Sequence, residues 1–401
     1  MPAAAAAGQS SGGSSGGGGG NPFQLATNLY CEKNNVGNLA ATTVTTSQTA
    51  GGGQINAGQY LRGIRLVVRA QASASVTTAN AAITDWPFNL LTQIDMVNVD
   101  GSEILYVMGG YAHYLRQKYG APWLGDPIFY PDAVNATTAI PQFTLFLQPE
   151  IRWTAGVLAN TDTRSQYRFD YSVDTVANIT GANGSSYNTA SQAPVVTVQP
   201  YMDAWAQPDA SDLQGTPNAP VPPGLNLQRK SRHQIFTMNA NASDNILQSA
   251  LTGNALRNQI FVHRNGGSVR SEGFTDPILW QLDNRSMGKI SVNAERTATS
   301  TGVSNGDMVQ NWMSEQYSEY FGAIQNGGTT SVVGFCRETG VYVFPRFIKP
   351  GSLYGQGWLY TANSTKETFE VTSGVSTSGT AELISDEVYP VGPVDPQLTD
   401  I

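Results

Sequence analysis

Histidine is the side chain most often used for acid–base catalysis and metal binding near neutral pH, and this sequence contains three. His113, His233 and His263 lie in unrelated local contexts, and none stands at metal-ligand spacing from another histidine or a cysteine. A zinc site needs such spacing because three or four ligands must converge on one ion. The sequence therefore predicts structural histidines, with no metal site and no cofactor.

Carboxylates offer a second kind of chemistry, because many β-sandwich enzymes cut glycans with two acids about 5–10 Å apart. The candidates are Glu150, Asp162, Asp170 and Asp174. Asp170 and Asp174 fall on the polar face of one predicted strand, where we expect them to be solvated. No Gly-x-Ser-x-Gly nucleophile turn is present, and the glycines at 51–53 lack the partners of a phosphate loop. No catalytic residue is predicted.

Two further features bear on metal and redox chemistry. Cys31 and Cys336 are too few for a disulfide framework and have no histidines nearby for zinc, so we expect two reduced, buried thiols. The acidic stretch 95–103 superficially resembles a calcium loop, but its ligand spacing fails. The Asp100-Gly101 pair within it predicts a two-residue hairpin turn instead.

The composition indicates a β-rich protein with neutral polar surfaces. Of 401 residues only 13% are charged, against roughly 25% in typical soluble domains, and 42 are glycine and 21 proline. This mixture argues against a helical bundle, a coiled coil and a charged disordered chain. A net charge of -8, with no basic cluster longer than 229–232, argues against a nucleic-acid binder. No stretch approaches the roughly 20 apolar residues of a membrane span.

Alternating hydrophobicity predicts strands in both halves of the chain. The clearest alternation lies at 64–68 and 167–174. Further strands are predicted at 94–99, 104–108, 259–263, 332–336, 341–344 and 369–371. Helical spacing predicts three helices, at 110–120, 244–257 and 307–322.

A proline-rich stretch divides the chain into two halves that look like variants of one plan. Trp86-Pro87 opens a strand-rich segment leading into the helix that ends at Gly120, and Asp276-Pro277 opens another leading to Gly322. We therefore predict a flexible Gly/Ser/Ala-rich arm at 1–22, a first β-domain at 23–206, a linker at 207–224, a second β-domain at 225–384 and a C-terminal segment at 385–401.

Several segments also occur in a recognisable order. They are 63–70 (GIRLVVRA), 84–90 (TDWPFNL), 118–124 (KYGAPWL), 154–160 (TAGVLAN) and 164–171 (RSQYRFDY), followed by 341–345 and 359–360. This succession resembles the major capsid protein of tectiviruses, icosahedral phages with an internal membrane. The resemblance covers most of residues 24–375 and is strongest over 60–175. The arm at 1–22 and the polar insertion at 176–193 depart from the family pattern.

The resemblance implies a fold and a function. The fold is all-β, with two consecutive eight-stranded jelly rolls and a few short helices. The function is that of a major capsid protein without enzymatic activity, whose trimers with a pseudo-hexagonal footprint build an icosahedral shell. Its partners are then other copies of itself, penton and minor capsid proteins and the internal lipid membrane, without direct nucleic-acid binding. Its location is the virion capsid, after synthesis in the host cytoplasm.

Two other functions remain open on the residues alone. Seven tryptophans and 17 tyrosines supply enough aromatic surface for a carbohydrate-binding β-sandwich, such as a receptor-binding spike protein. A jelly-roll glycoside hydrolase is the third alternative, and it requires two carboxylates that face a cleft.

Overall fold

The computed structural model describes residues 25–30, 42–43, 49–71, 85, 88–120, 142–151, 156–164, 166–175, 195–206, 227–240, 245–266, 269–270, 274, 278–290, 325–326, 329–330, 340–346, 358–371 and 378–390. The predicted arm at 1–22 and the predicted linker at 207–224 lie outside these residues. So do the predicted helix at 307–322, the predicted strand at 332–336 and both cysteines, and these expectations stay predictions.

The first half of the chain folds into two antiparallel sheets around a common core. In chain order its strands are β1 (Leu25–Tyr30), β2 (Thr42–Thr43), β3 (Thr49–Gln54), β4 (Gln59–Gln71), β5 (Leu91–Val97), β6 (Glu103–Met108), β7 (Gln142–Leu147), β8 (Leu158–Asn160), β9 (Arg168–Val173) and β10 (Val195–Trp205). A 3-10 helix (Phe88–Leu90) precedes β5, and helix α1 (Gly110–Gly120) follows β6. One sheet has the order β1-β10-β4-β7, and the other has the order β3-β9-β5-β6.

The second half repeats this arrangement. Its strands are β11 (Leu227–Met238), β12 (Asn245–Ser249), β13 (Ala255–Arg264), β14 (Ile278–Leu282), β15 (Arg285–Ile290), β16 (Gln325–Asn326), β17 (Thr329–Thr330), β18 (Val341–Pro345), β19 (Leu359–Tyr360), β20 (Glu367–Val371) and β21 (Gly379–Pro390). One sheet has the order β11-β21-β13-β18, and the other has the order β12-β20-β14-β15.

Both halves therefore have the same topology. When the short strands β2, β8, β16, β17 and β19 are set aside, each half pairs its first, eighth, third and sixth strands in one sheet. The second, seventh, fourth and fifth strands form the other sheet. This is the double-sheet arrangement of an eight-stranded jelly roll. The predicted fold class, all-β with two consecutive jelly rolls, is confirmed.

Side-chain alternation explains how a strand buries one face. Ile64, Leu66 and Val68 on β4 are buried, Arg65 between them is half-buried, and Arg69 is exposed. The period of two matches the alternation seen in the sequence, because successive side chains of a strand point to opposite faces. The predicted strand is confirmed.

The turn between β5 and β6 confirms the predicted hairpin but has one residue more than expected. The N–H of Gly101 donates to the Asn98 carbonyl at 3.0 Å, and the N–H of Asn98 donates to the Ser102 carbonyl at 2.8 Å. Val99 and Asp100 are thus the central residues of the turn, and Gly101 follows with φ of 85°. A glycine takes this left-handed conformation without strain, as in the three-residue hairpins that end in a bulge.

Of the three predicted helices, 110–120 is confirmed and 244–257 is wrong. The latter segment contains β12 and the start of β13. In β12, Ile246 is 64% exposed while Leu247 is 1% exposed, which is the alternation of a strand. A short apolar run fits either period, and here the pairing of β12 with β20 along its whole length decides for the strand.

The last described strand also changes the predicted boundary at 384/385. β21 pairs with β11 from Gly379 to Pro390 without interruption, and it pairs with β13 on its other side. The boundary falls inside this strand, so residues 385–390 belong to the second roll.

The two rolls share one sheet and one helix. Strand β6 of the first roll lies parallel to β11 of the second at Leu105 and Ser231, which makes a continuous nine-stranded sheet. All residues of α1 are buried, and the helix packs against β7 of the first roll and against β13 and β21 of the second. The side chain of Gln117 on α1 accepts a hydrogen bond from the N–H of Phe146, at 2.8 Å, and so covers the edge strand β7.

Because α1 packs on it, strand β13 of the second roll is buried on both faces. Ile260 and Val262 of β13 belong to a core shared with the first roll. Phe261 between them belongs to a separate core inside the second roll, where it packs edge-on against Phe274 and Phe369. No helix in the described part of the chain is long and apolar enough to cross a membrane.

Candidate functional site: the junction of the two rolls

Four charged side chains meet where α1 packs on the second roll. Asp386 on β21 accepts two hydrogen bonds from Arg229 on β11, from Nε to Oδ1 at 2.7 Å and from Nη2 to Oδ2 at 2.8 Å. Arg257 on β13 donates from Nη1 to Oδ2 at 3.0 Å. Arg116 on α1 lies with Nε 3.7 Å from Oδ1, which is close enough for an ion pair and too long for a hydrogen bond. We call these four residues the junction cluster.

The junction cluster is buried and carries more positive than negative charge. Each of its side chains is at most 4% exposed. Burial alone would raise the pKa of the Asp386 carboxyl, but the charges of Arg229, Arg257 and Arg116 outweigh burial and lower that pKa. Burial, followed by the charge of Arg229, lowers the pKa of Arg116 to about 9. Arg116 therefore stays protonated at neutral pH although its side chain is only 2% exposed.

The carboxyl end of α1 supplies further acceptors to this region. Arg257 donates from Nη2 to the Gly120 carbonyl at 3.5 Å, and Asn258 donates to the Tyr119 carbonyl at 3.2 Å. The last carbonyls of a helix have no partner within the helix and form the negative end of its dipole. One cation and one amide group of the second roll therefore bind the carbonyls at the end of this helix of the first roll.

A second group of charges connects the rolls beside Tyr111. Asp85, from the first roll, pairs with Arg264 Nη1 at 2.5 Å and with Arg270 Nε at 2.7 Å. Arg264 also pairs through Nε with Glu382 at 2.6 Å. The guanidinium of Arg270 lies 4.7 Å from the centre of the Tyr111 ring on α1. The junction is thus held by ion pairs at two places, both partly built from α1.

The third strand of each roll, β4 or β13, has a β-bulge at the same place, and each bulge positions an arginine. The register against β10 slips between residues 61 and 63, and the register against β21 slips between 256 and 258. The residues left out of the two ladders are Arg62 and Arg257. The residue after each arginine pairs with an aspartate, Asp203 or Asp386. A β-bulge re-aims the side chain of its extra residue, so each roll directs an arginine out of the regular ladder at the same place.

Glu150, a predicted candidate acid, is the partner of the arginine at the first of these bulges. It pairs with Arg62 Nε at 2.5 Å and accepts hydrogen bonds from Gln148 at 3.0 Å and from Trp205 Nε1 at 2.8 Å. The Arg62 guanidinium lies 5.1 Å from the centre of the Trp205 ring. All of these contacts hold Glu150 inside the first roll, which gives it a structural role.

The second roll has a group of the same chemistry on other strands. Glu367 is buried and accepts from Gln259 at 2.7 Å, from Trp280 Nε1 at 3.1 Å and from Arg346 at 3.2 Å. The Arg346 guanidinium lies 4.0 Å from the centre of the Trp280 ring. Trp205 and Trp280 are therefore both engaged by a glutamate and an arginine, so neither supports a sugar-binding platform.

The three histidines lie on three different elements, α1, β11 and β13. His113 on α1 is buried, with Nε2 3.2 Å from the Ile94 carbonyl. Burial, with the nearby Arg116 charge, lowers the pKa of His113 to about 3, so this histidine is neutral. His263 on β13 lies 5.9 Å from the Phe274 ring, and His233 on β11 lies 3.5 Å from Glu382. In the described parts of the chain, no three His, Cys, Asp or Glu side chains could hold a metal ion.

The other candidate carboxylates are spread over the first roll. Asp162 is exposed and pairs with Arg164 at 3.5 Å. Asp170 on β9 is half-buried and pairs with Arg168 at 2.5 Å. Asp174 was expected to be solvated on the same face, and this is wrong because it follows the end of β9 and is 8% exposed. Its carboxylate accepts a hydrogen bond from the Thr175 N–H at 2.7 Å.

The sequence alone does not indicate that Asp95 and Asp170 lie next to each other. Asp95 on β5 pairs directly with Asp170 on β9 across the ladder, on the face turned away from the core. Burial, with the charge of Asp170, raises the pKa of Asp95 although Gln93 donates a hydrogen bond to its carboxylate. Both acids thus have protein partners, Gln93 for Asp95 and Arg168 for Asp170.

Sequence reasoning also missed the junction cluster. The run 229–232 is the longest basic cluster of the sequence, but the alternation of its side chains between the two faces of a strand is more informative than its charge. Arg229 and Ser231 are buried in the junction, whereas Lys230 lies on the other face, with its Nζ 4.6 Å from the Tyr389 ring. An arginine at a buried position of a strand needs a carboxylate, and Asp386 could have been sought on that ground.

Comparison with solved structures finds matches that span nearly the whole chain. The crystal structure of the STIV MCP matches with a TM-score of 0.57 and 11% identity over 91% of this chain and 98% of its own. An atomic structure of Sulfolobus Turreted Icosahedral Virus matches with a TM-score of 0.57 and 10% identity over 94% and 95%. The PBCV-1 virus capsid matches with a TM-score of 0.52 and 9% identity over 94% and 95%. No family model and no curated protein matches the sequence.

At identities of 9–11% these matches concern the fold. They cover both rolls together, in chains of nearly the same length. The resemblance noted in the sequence is therefore confirmed at the level of architecture, and this chain has the double jelly-roll fold of these viral major capsid proteins.

Proposed function

We propose that the chain is a major capsid protein that assembles with copies of itself into an icosahedral shell. The observation that carries this proposal is the coverage of the structural matches. A single jelly roll serves many functions, but two rolls in one chain match capsid proteins over 91% of this chain and 98% of the other. The match therefore includes the relation of the two rolls to each other as well as the roll itself.

The geometry of the junction supports a role in which the two rolls act as one rigid block. A continuous sheet, a fully buried helix, one buried group of ion pairs and one half-buried group fix one roll on the other. A lattice built from many copies needs such a fixed unit, because an error in the angle between rolls would be repeated at every contact. Three chains together would offer six rolls, which is the proposed pseudo-hexagonal trimer.

The surface composition fits repeated contact with copies of the same chain. Only 13% of residues are charged, so self-repulsion between neighbours is small. Closed double-sheet rolls also leave few free strand edges, which limits wrong pairing at high local concentration. The proposed partners are other copies of the chain, penton and minor capsid proteins and an internal lipid membrane, and the proposed location is the virion capsid.

The test is the number of copies of this chain in a purified particle. A capsid subunit is expected to be the most abundant protein of the particle, as measured by quantitative gel densitometry or mass spectrometry. A spike protein with the same fold would be present in a small number of copies. A low copy number would therefore replace the capsid proposal with the receptor-binding one.

A further inference from the structure

One strand from each roll joins the two rolls into a continuous sheet. Strand β6 lies parallel to β11 at Leu105 and Ser231, and the N–H of Tyr106 donates to the Ser231 hydroxyl at 3.2 Å. In the strand order that the rolls share, β6 is the fifth strand of the first roll and β11 is the first strand of the second. Within the chain, the fifth strand of one roll therefore extends the sheet of another roll along its first strand.

The other fifth strand and the other first strand each keep an open edge. Strand β15, the fifth strand of the second roll, pairs with β14, and β1, the first strand of the first roll, pairs with β10. Among the described strands, neither has a neighbour on its second side. The N–H and C=O groups along such an edge are a template for pairing with another strand. Each roll thus offers one half of the contact that β6 and β11 make within the chain.

The side chains of β15 differ from those of β6 in their exposure. A bulge leaves Ile104 out of the pairing of β6 with β5, and a bulge leaves Met287 out of the pairing of β15 with β14. Ile104 is 0% exposed, whereas Met287 is 48% exposed. Arg285 and Ser286, which precede Met287 on β15, are exposed as well. The single chain thus leaves apolar surface in water at an open strand edge, which is typical of a contact site.

We propose that β15 of one copy pairs in parallel with β1 of a second copy, as β6 pairs with β11 within the chain. This inference rests on the proposed trimer and names the strands that hold it together. The two edges belong to different strands, so the contact is head-to-tail, and such contacts close into a ring when the rotation between copies allows it. Three identical contacts would then alternate with three internal junctions around six rolls.

The bulges on the third strands indicate where on β1 the contact lies. Ser231, which meets β6, pairs with Asp386 on β21. Asp203 on β10 is the equivalent of Asp386, because each pairs with the residue that follows the bulged arginine. The part of β1 opposite Asp203 is the interruption of the β1–β10 ladder at 27–28. We therefore expect β15 to meet β1 at these two residues.

The experiment is disulfide crosslinking of the full chain after Cys31→Ser and Cys336→Ser remove the native thiols. One variant then carries Met287→Cys with Thr27→Cys, and another carries Met287→Cys with Asn28→Cys, because successive side chains of a strand point to opposite faces. After mild oxidation, we expect one of the two to form covalent trimers on a non-reducing gel.

Native mass spectrometry of the same samples separates this inference from the capsid proposal. A trimeric chain that forms no crosslink at either position would overturn the pairing of β15 with β1 and leave the capsid proposal intact. A chain that is monomeric at every concentration would contradict both. The control pairs Asn28→Cys with Ile246→Cys, on β12 at the opposite edge of the same sheet, and it should form no covalent trimer.

A charge at the same position gives a second measurement that needs no cysteines. Met287→Glu places a carboxylate where the contact would exclude water, and we expect the concentration at which the trimer dissociates to rise by at least about tenfold. Ile246→Glu is the matched control, because Ile246 is 64% exposed on the other edge strand of this sheet and should leave that concentration unchanged. Both substitutions lie at exposed residues, so the folded chain should tolerate them. Equal dissociation concentrations for the two variants would contradict the contact.

Discussion

Asp386 is the residue on which the junction cluster depends, because it is the carboxylate that three buried arginines share. A buried ion pair gives little net stability compared with apolar residues of the same shape, but the loss of one partner is severe. The sequence indicates that the buried Arg229 needs a carboxylate, but nothing in the local sequence at Asp386 marks it as that partner, since it follows an ordinary Ile384-Ser385 strand sequence. Its partners are up to 270 positions away along the chain, and only the fold brings them together.

Replacing Asp386 should destabilise the whole chain. Asp386→Asn removes the negative charge that balances Arg229 and Arg257, and we expect the free energy of unfolding to fall by about 3–5 kcal/mol. The matched control is Asp162→Asn, whose pair with Arg164 is exposed and should contribute less than about 1 kcal/mol. Denaturant unfolding measures both variants. Equal losses of the free energy of unfolding in the two variants would show that the junction cluster is not the main contribution to the stability of the chain.

Replacing Asp95 should stabilise the chain, in contrast to replacing Asp386, because the charged form of Asp95 is disfavoured in the folded chain. Burial, with the charge of Asp170, raises its pKa above the ordinary value of 3.8, so the folded chain binds the proton more tightly than the unfolded chain does. Wild-type stability therefore falls as pH rises through the raised pKa. We expect Asp95→Asn to be more stable than the wild type at pH 7 by roughly 0.2–1 kcal/mol, with no difference once the pH is below the unfolded value.

Asp100, in the turn after β5, serves as a control because its contribution to stability should change with pH in the opposite direction to that of Asp95. Hydrogen bonds from Ser102 lower the pKa of Asp100, so its contribution is present at neutral pH and is lost as the pH falls. Asp100→Asn should be less stable than the wild type at pH 7, and the difference should shrink in acid. Unfolding curves measured across this pH range test both variants, and a common sign would contradict the assignment.

At the scale of elements, the sequence predicts correctly the strands in which polar and apolar residues alternate strictly, and it predicts helix α1. The prediction is wrong where a short segment fits the residue spacing of both a helix and a strand. β4 and β9 were clear because polar and apolar residues alternate along them. The predicted helix at 244–257 failed because 245–249 is short and its apolar residues fit both periods. The bulges at Arg62 and Arg257 leave no signal in local composition, since a bulge depends on the partner strand.

Gly63, next to the first bulge, tests the close approach of β4 and β7. A Cβ at this position would lie 2.6 Å from the Leu147 carbonyl oxygen and 2.9 Å from the Gln148 Cα, both of them backbone atoms. Gly63→Ala should therefore lower the free energy of unfolding by about 1–3 kcal/mol. Gly109→Ala is the control, because its added Cβ meets backbone atoms only at 3.5 Å or more. Loss of stability in Gly109→Ala of the same size would rule out the close approach as the cause.

At the scale of the whole molecule, the two similar halves were visible in the sequence, but the way they join was not. The order of segments around Trp86-Pro87 and Asp276-Pro277 suggested one plan used twice. The shared sheet depends on the contact of Leu105 with Ser231, and no local pattern marks these two residues as neighbours. The proline-rich stretch suggested two separate units, whereas the core common to both rolls indicates one.

The shared core predicts that the rolls unfold together. Differential scanning calorimetry of the full chain should show a single transition, because opening the second roll would expose α1 and the charges of the junction cluster. Two independent domains would give two transitions at different temperatures. Asp386→Asn should lower the temperature of the single transition. A wild-type chain that already unfolds in two steps would show that the junction does not couple the rolls.

The proposed capsid function is tested most directly by the native mass of the purified chain. A double jelly-roll capsid subunit is expected to form a stable trimer, so native mass spectrometry or sedimentation should give the mass of three chains of 42.8 kDa each. The trimer should persist on dilution, because the proposed capsid subunit would make repeated contacts with its own copies. A chain that stays monomeric at every concentration would contradict the proposal.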